Sequence, residues 1–526
     1  MSFTGWFILF LIIQLIHFLG TWKLYVKAGR KAWEAAVPVY NAIVLLGIMK
    51  RPKWWVILLF IPTVNLIMFP VIWIETCRSF GFKSTKDSIL AIVTLGFYIF
   101  YISYFNEPQY DQKRALKAPT TAGEWVSSIA FAIIAATIVH NYFIRPYVIP
   151  SSSLEKTLLV GDYLFVSKFH YGSRVPMTTV SLPMIHDSIP GLGTKSYLFS
   201  DDYENRKNSL INKLQLPYMR LPGLKKIKRN DIVVFGQPAD TLRNMNILTS
   251  DRNYYKPVDK KTNLVKRCVG IAGDSLEIKD GYIYINGKRT VLPKSAKPQW
   301  NFIAYTKTGE NLSNAELRNR YNVREGGKFN DDSGRFFLTL TDNEAEALRK
   351  NPKVEKVEKT NRPKGFYDPG IFPHNPKYAW SGDNFGPIYI PKKGATVELN
   401  AETIPFYKRI IQEYERNELT FFGDDIYING KKANSYTFKQ DYYWMMGDNR
   451  QNSLDARAWG YVPFDHVIGT PVMVWFSYDK DTRKVRWDRM FTTVSNGESK
   501  SYFWFGIAAA LGIFAFVFMP KKKKTK

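Results

Sequence analysis

The stretch "YVIPSSSLEKTLLVGDYLFVSK", residues Tyr147 to Lys168, follows directly on an apolar run and packs three serines, an acid and a lysine into Ser151 to Lys156. From Thr157 onward its apolar residues alternate with turn residues, the pattern of strands and hairpins. The stretch is either a polar exit from a membrane span or a nucleophile set at the bilayer surface.

Upstream and downstream, five stretches have the length a bilayer core demands: Gly5 to Trp22, Trp54 to Thr76, Ser88 to Phe105, Trp125 to Phe143 and Tyr502 to Met519. No basic region precedes the first and no Ala-x-Ala-like site follows it, so it reads as a span and not as a cleaved signal. Ala35 to Met49 is apolar but broken by Pro38 and Asn41, which suits an interfacial or re-entrant segment. Lys23, Lys27, Arg30, Lys31, Lys50, Arg51 and Lys53 follow the first span and Lys521 to Lys524 the last, so both regions are expected in the cytoplasm. That threading predicts a multi-pass protein of the cytoplasmic (inner) membrane. Its N-terminus is then outside, and the chain from about Arg145 to Lys500 lies on the extracytoplasmic side. Glu75, near the end of a span, reads as a snorkelling acid.

The formal charge of +27 over 526 residues permits nucleic acid, an anionic membrane or acidic substrates as partners. The apolar clustering selects the lipid bilayer, the terminal "KKKKTK" reads as an anchor for anionic lipid, and nothing points to nucleic acid. With only Cys77 and Cys268, and six histidines at no ligand-like spacing, neither a disulfide framework nor a metal or other cofactor is expected.

Beyond Thr157, runs such as "DIVVFGQP", "VKRCVGIAGDSLEI" and "YYWMMGDNR" predict a mainly β domain. "GYIYINGKRTV" and "DDIYINGKKANS" repeat one hairpin with Asn-Gly at a tight turn. They bracket an excursion, Leu292 to Phe422, with helices expected near Asn343 to Lys350 and Ala401 to Arg416. The chain divides accordingly into a multi-span region, 1–124, an anchor, 125–144, a β core, 145–291 and 423–500, an inserted subdomain, 292–422, and a C-terminal transmembrane helix with a basic tail, 501–526. Trp444, Trp459, Trp475 and Phe476 serve either the core or a surface that dips into lipid.

A serine nucleophile needs a base within hydrogen-bond reach. His170, His186, His374 and His466 lack the context of a triad, which leaves lysine, a base only where burial or like charge lowers its pKa. In "NLVKRCVGIAGD", strand alternation puts Leu264, Lys266 and Cys268 on one face and Val265, Arg267 and Val269 on the other. Lys266 is then either a desolvated amine or a strand lysine that snorkels to water.

"IPSSSLEKTLLVGDYLFVSKFHYG", "RNDIVVF", "VKRCVGIAGDSLEI" and "MMGDNRQNSLDARAWGYVP" occur in this order after a span. Together they closely resemble the successive motif boxes of type I signal peptidases, membrane-anchored serine/lysine peptidases with antiparallel β catalytic domains. The resemblance covers Trp125 to Gly172, Arg229 to Phe235, Val265 to Lys288 and Asp424 to Gly469. It implies Ser153 as nucleophile, Lys266 as general base, Ser151 as an oxyanion donor and Ser453 as the hydroxyl that orients the lysine. Asp455 and Arg457 correspond to a structural ion pair, and Asp448, Asn449 and Arg450 to a shaping turn. The implied substrates are preprotein signal peptides with small residues at −1 and −3, with the translocation machinery as a further contact. Departures from the pattern are Ser152 for glycine, Leu154 for methionine, Lys156 for proline, Asn230 for glycine and Ala456 for serine.

Two rivals are open to test. Ser153 to Lys156 is literally S-x-x-K and Lys307 to Gly309 is "KTG", both marks of penicillin-binding transpeptidases. The third reading is a non-catalytic, membrane-anchored β scaffold.

Overall fold

The computed structural model describes residues 1–118, 120–240, 254–331, 333–497 and 499–518. Its first helix, α1 (Phe3–Lys27), is a continuous apolar rod whose N-cap, Ser2, accepts a hydrogen bond from the Gly5 N–H. The broken stretch after it yields only the short α2 (Tyr40–Ile48). The expected span over Trp54 to Thr76 does not form as one helix: α3 (Trp55–Leu58) stops, and α4 (Asn65–Ser79) begins seven residues later. Pro62 has no N–H to continue the helical ladder, and Thr63 behind it adopts φ 72°, outside helical space. The next expected span is also divided, into α5 (Thr85–Val93) and α6 (Tyr98–Phe105), bent by 118°. Leu95 and Gly96 take positive φ at that bend. The anchor is unbroken: α7 (Thr121–Ile138) continues through a π turn to Phe143.

Among the described residues, two helices are therefore long and apolar enough to cross a membrane, three if the bent pair is one span. The expectation of one continuous helix each over Trp54 to Thr76 and Ser88 to Phe105 is corrected to that extent. The C-terminal apolar stretch forms a helix over Phe503–Phe518 among the described residues, and the "KKKKTK" run lies outside them.

Residues 1–143, 173–221 and 240–261 gather into one compact unit; 144–172, 222–239 and 262–526 form the other. In the first, Leu24, Tyr25, Leu46, Phe80 and Ile102 form the core. Glu75 does not snorkel. It is 5% exposed and bonds to Arg51, Arg78 and Arg114 at 2.7, 2.9 and 2.5 Å.

The second unit is mainly β. Its main antiparallel sheet runs in the order β1 (Ile144–Val148), β2 (Asp162–Ser167), Val467–Asp479, β3 (Ile232–Gly236), β4 (Asn263–Gly270), Tyr442–Met446 and Val462–Pro463. Alternation along β4 sorts its neighbours: Cys268 packs with Val233, Phe235 and Met445, and Val265 with Ile232 and Val234. The repeated hairpins form as the Asn-Gly pairs demand, with φ 52° and 78° at Asn286 and Gly287 and 51° and 77° at Asn429 and Gly430. Trp444 is fully buried beside the first hairpin's Leu276 and Ile278, and Trp459 lies in the core around Cys268. Trp475 stacks on Phe165.

Within the inserted stretch, Trp300–Thr306 lies between Arg335–Leu340 and Val354–Lys359 in a sheet of its own. That sheet has its own core of Phe302, Leu338, Leu340 and Leu348. The Glu344 side chain belongs to a capping box with Thr341 at the start of the helix Asp342–Arg349.

The long strand Val467–Asp479 crosses β2 with almost no space. A Cβ built on Gly469 would lie 2.1 Å from the Ser167 carbonyl oxygen. Gly469→Ala is expected to lower stability by about 1–3 kcal/mol or more, the range of overpacking penalties, measurable as a fall in the midpoint of thermal unfolding.

Candidate active site

β1 and β2 pair from Ile144 opposite Ser167 to Val148 opposite Tyr163. Two further backbone bonds, Ile149 N–H to Asp162 O at 2.9 Å and Gly161 N–H to Ile149 O at 3.0 Å, close the loop between them. Leu154 and Leu158 fasten that loop to the sheet, buried with Leu164, Ile232 and Val234. Between these anchors the chain makes one 3₁₀ turn, Ser152–Leu154, which carries the Ser153 side chain inward. Ser153 is 7% exposed, whereas Ser151, extended at φ −131°, is open to solvent.

Lys266 sits on β4 directly opposite Val233. It is 4% exposed, and its Nζ donates to Ser153 Oγ at 2.5 Å. Burial pulls the ammonium down to about 8, while the charges of Asp455 and Asp448 oppose that shift and Arg457 reinforces it. The two residues named as nucleophile and base are thus in hydrogen-bond contact, 113 positions apart in the chain.

Behind them lie two buried ion pairs. Asp455 takes Arg457 Nε and Nη2, each at 2.9 Å, and accepts the Gly447 N–H at 3.0 Å. Asp448 takes Arg267 Nε and Nη2 at 2.8 and 2.6 Å and the Thr157 hydroxyl at 2.7 Å. Burial alone would raise both carboxyls; the paired guanidinium in each case holds the acid below the ordinary carboxylate range. Asn449 binds the Ser152–Leu154 turn, with its N–H on Ser153 O at 3.1 Å and its side-chain amide on Ser152 O at 3.2 Å. Arg450, 3% exposed, gives its carbonyl to Arg457 Nη2.

Of the residues singled out in the sequence, Ser153, Lys266, Asp448, Asn449, Arg450, Asp455 and Arg457 lie together, Ser151 is open to solvent, and Ser453 differs from the expectation. The buried Ser453 Oγ has no hydrogen-bond partner among the described residues and does not bond the Lys266 amine. Gly447 was visible only as a letter of its motif, yet a Cβ there would stand 2.2 Å from Ser453 Oγ and 2.5 Å from Ser153 O. Arg267 and Thr157 were likewise missed. Strand alternation carries no sign that Arg267 faces an acid 181 positions away.

The departures have structural correlates. Asn230 adopts φ 73°, a left-handed conformation that asparagine tolerates better than most residues. Lys156 adopts φ 66°, which the ring of a proline forbids. Lys156 does not follow Ser153 along a helix, as the S-x-x-K reading requires; it pairs with Glu344 at 2.5 Å.

Two family models match the chain. One, described as signal peptidase, peptidase S26, covers residues 122–333 and 390–476, more than half of the chain; the other, a family of unknown function (DUF5684), covers 33–113. Similar curated proteins include the signal peptidase I of Buchnera aphidicola subsp. Schizaphis graminum, 23% identical over 68% of this chain and 75% of the relative. That of Haemophilus influenzae is 23% identical over 73% and 79%, and that of Helicobacter pylori 24% over 71% and 92%.

Asp448→Ala would leave Arg267 charged and unpaired in the interior. Breaking a buried pair in this way costs about 3–5 kcal/mol, so urea denaturation is expected to show a large loss of stability in this variant.

Proposed function

The chain belongs to the signal peptidase family, peptidase S26, and from that premise we propose that Ser153 and Lys266 are the nucleophile and general base with which it cuts signal peptides from preproteins. It is a membrane-anchored serine protease of the signal peptidase I kind. The observation that carries the assignment is the 2.5 Å contact between the two side chains, with the lysine 4% exposed and its pKa lowered by burial.

Ser153 Oγ attacks the scissile carbonyl carbon as its proton passes to the neutral Lys266 amine. The negative charge on the carbonyl oxygen is met by the Ser151 hydroxyl and the Ser153 backbone N–H. The carbon–nitrogen bond then breaks, and the Lys266 ammonium returns its proton to the departing amine. Water repeats the sequence on the acyl-serine, with Lys266 again taking and returning the proton. The Ser453 hydroxyl, without a partner among the described residues, serves to orient the amine once substrate engages Ser153. Asp455 with Arg457, and the Asp448 to Arg450 turn, hold the frame.

The substrate enters extended, as an added strand, and presents small residues at −1 and −3. The anchor ends at Phe143, ten positions before Ser153, which suits a cut made at the surface of the cytoplasmic membrane on its outer side. In this reading Tyr502 to Met519 completes a further span, the insertion 292–422 is an appendage of the β core, and the translocation machinery hands over the substrate.

Only the neutral amine accepts a proton, so turnover must rise as pH passes the Lys266 pKa and level off above it. The expected profile of kcat/KM has its acidic limb near pH 8; an inflection near 6.5 would point to histidine instead. Purified protein in detergent should cleave a fluorogenic signal-peptide substrate, and Ser153→Ala and Lys266→Ala should each leave it uncut. Robust cleavage by either variant rejects the assignment.

A further inference from the structure

The nucleophile turn is held from two sides. From the sheet side come the bonds of Asn449 to the carbonyls of Ser152 and Ser153 and the bond of Asp448 to Thr157. From the inserted stretch come three more. Gln299 Nε2 donates to Glu155 O at 2.7 Å, the Lys297 N–H to Thr157 Oγ1 at 3.3 Å, and Lys156 Nζ pairs with Glu344 at 2.5 Å.

The last of these has the character of a fixed strut. Lys156 stands three positions after Ser153 in a left-handed conformation, φ 66°, in which the Cβ crowds the following carbonyl oxygen. Such a conformation persists only where the surroundings over-determine it. Its side chain is 4% exposed, far from the usual state of a lysine. Glu344 is held in turn. It accepts the Thr341 N–H at 2.8 Å and the Asn322 side-chain amide at 3.1 Å, and it lies in the first helical turn, where the helix dipole favours a carboxylate. An anchor this constrained transmits position, unlike an exposed pair between two mobile side chains.

We propose that Lys156 and Glu344 are positioning residues through which the inserted subdomain sets the backbone of the nucleophile turn and keeps Ser153 Oγ within reach of Lys266. The inference rests on the Ser153/Lys266 reading above. Neither residue touches the reacting atoms; both act through the turn. A displacement of about 1 Å at a nucleophile can cost about 100-fold in rate, so the strut governs the chemical step and leaves substrate affinity alone.

The test uses the full-length protein in detergent with the fluorogenic signal-peptide substrate. Glu344→Gln keeps the capping box, which accepts glutamine, and removes the charge while turning one acceptor oxygen into an amide donor. Lys156→Met keeps the length of the side chain and removes its ammonium. Each is expected to lower kcat by about 10- to 100-fold with KM changed by less than about twofold. In the double variant no buried charge is left unpaired, so its thermal midpoint should return toward that of the wild type while kcat stays low. Unchanged kcat in the single variants overturns the proposal. So does recovery of both kcat and thermal midpoint in the double variant, which would mean that the pair is structural only. If the wild type fails to cleave, or Ser153→Ala still cleaves, the Ser153/Lys266 reading itself has failed, and the two failures are thereby distinguished.

Discussion

An ammonium taken out of water loses more solvation than one hydroxyl can restore, and this imbalance at Lys266 is the constraint that the rest of the site serves. Two carboxylates close by would ordinarily hold the proton on the amine. Here each is already engaged in two hydrogen bonds to its own arginine, Asp455 to Arg457 and Asp448 to Arg267. Their pull on Lys266 opposes the effect of burial without cancelling it. The ion pairs thus do two things: they satisfy charges in the interior and they leave the lysine free to be neutral.

That arrangement demands close tolerances. Gly447 lets its strand's end pass against Ser153 and Ser453 where no side chain fits. Leu154 and Leu158 fix the loop by hydrophobic burial, and Asn449 fixes it by hydrogen bonds. Apolar packing sets the loop's general place, and directional bonds set its register.

The β class and both Asn-Gly turns were legible because each depends on local chemistry, alternation and turn residues, whereas the Ser153–Lys266 pairing, 113 positions apart, was implied only by the resemblance in motif order. The helices expected near Asn343 and Ala401 also formed, where Thr341 with Glu344 and Pro405 mark their starts. What escaped was set by distant neighbours. Apolar content over Trp54 to Thr76 satisfied the length of a span, but Pro62 with Thr63 outweighed it. Glu75 looked like an acid bound for water because its arginines lie 24 and 39 positions ahead of it or behind it in the chain, besides the adjacent Arg78. Lys156 resembled half of an S-x-x-K motif until its backbone and Glu344 gave it another partner.

The division of the chain bears on how the enzyme can be taken apart. The polypeptide passes between its two units at 143/144, 172/173, 221/222, 239/240 and 261/262. No single cut separates them. A fragment begun at Ile144 would carry 173–221 without the helices of its own compact unit, and would expose surface that the intact chain buries. Removing residues 1–143 therefore cuts within a compact unit and not between two.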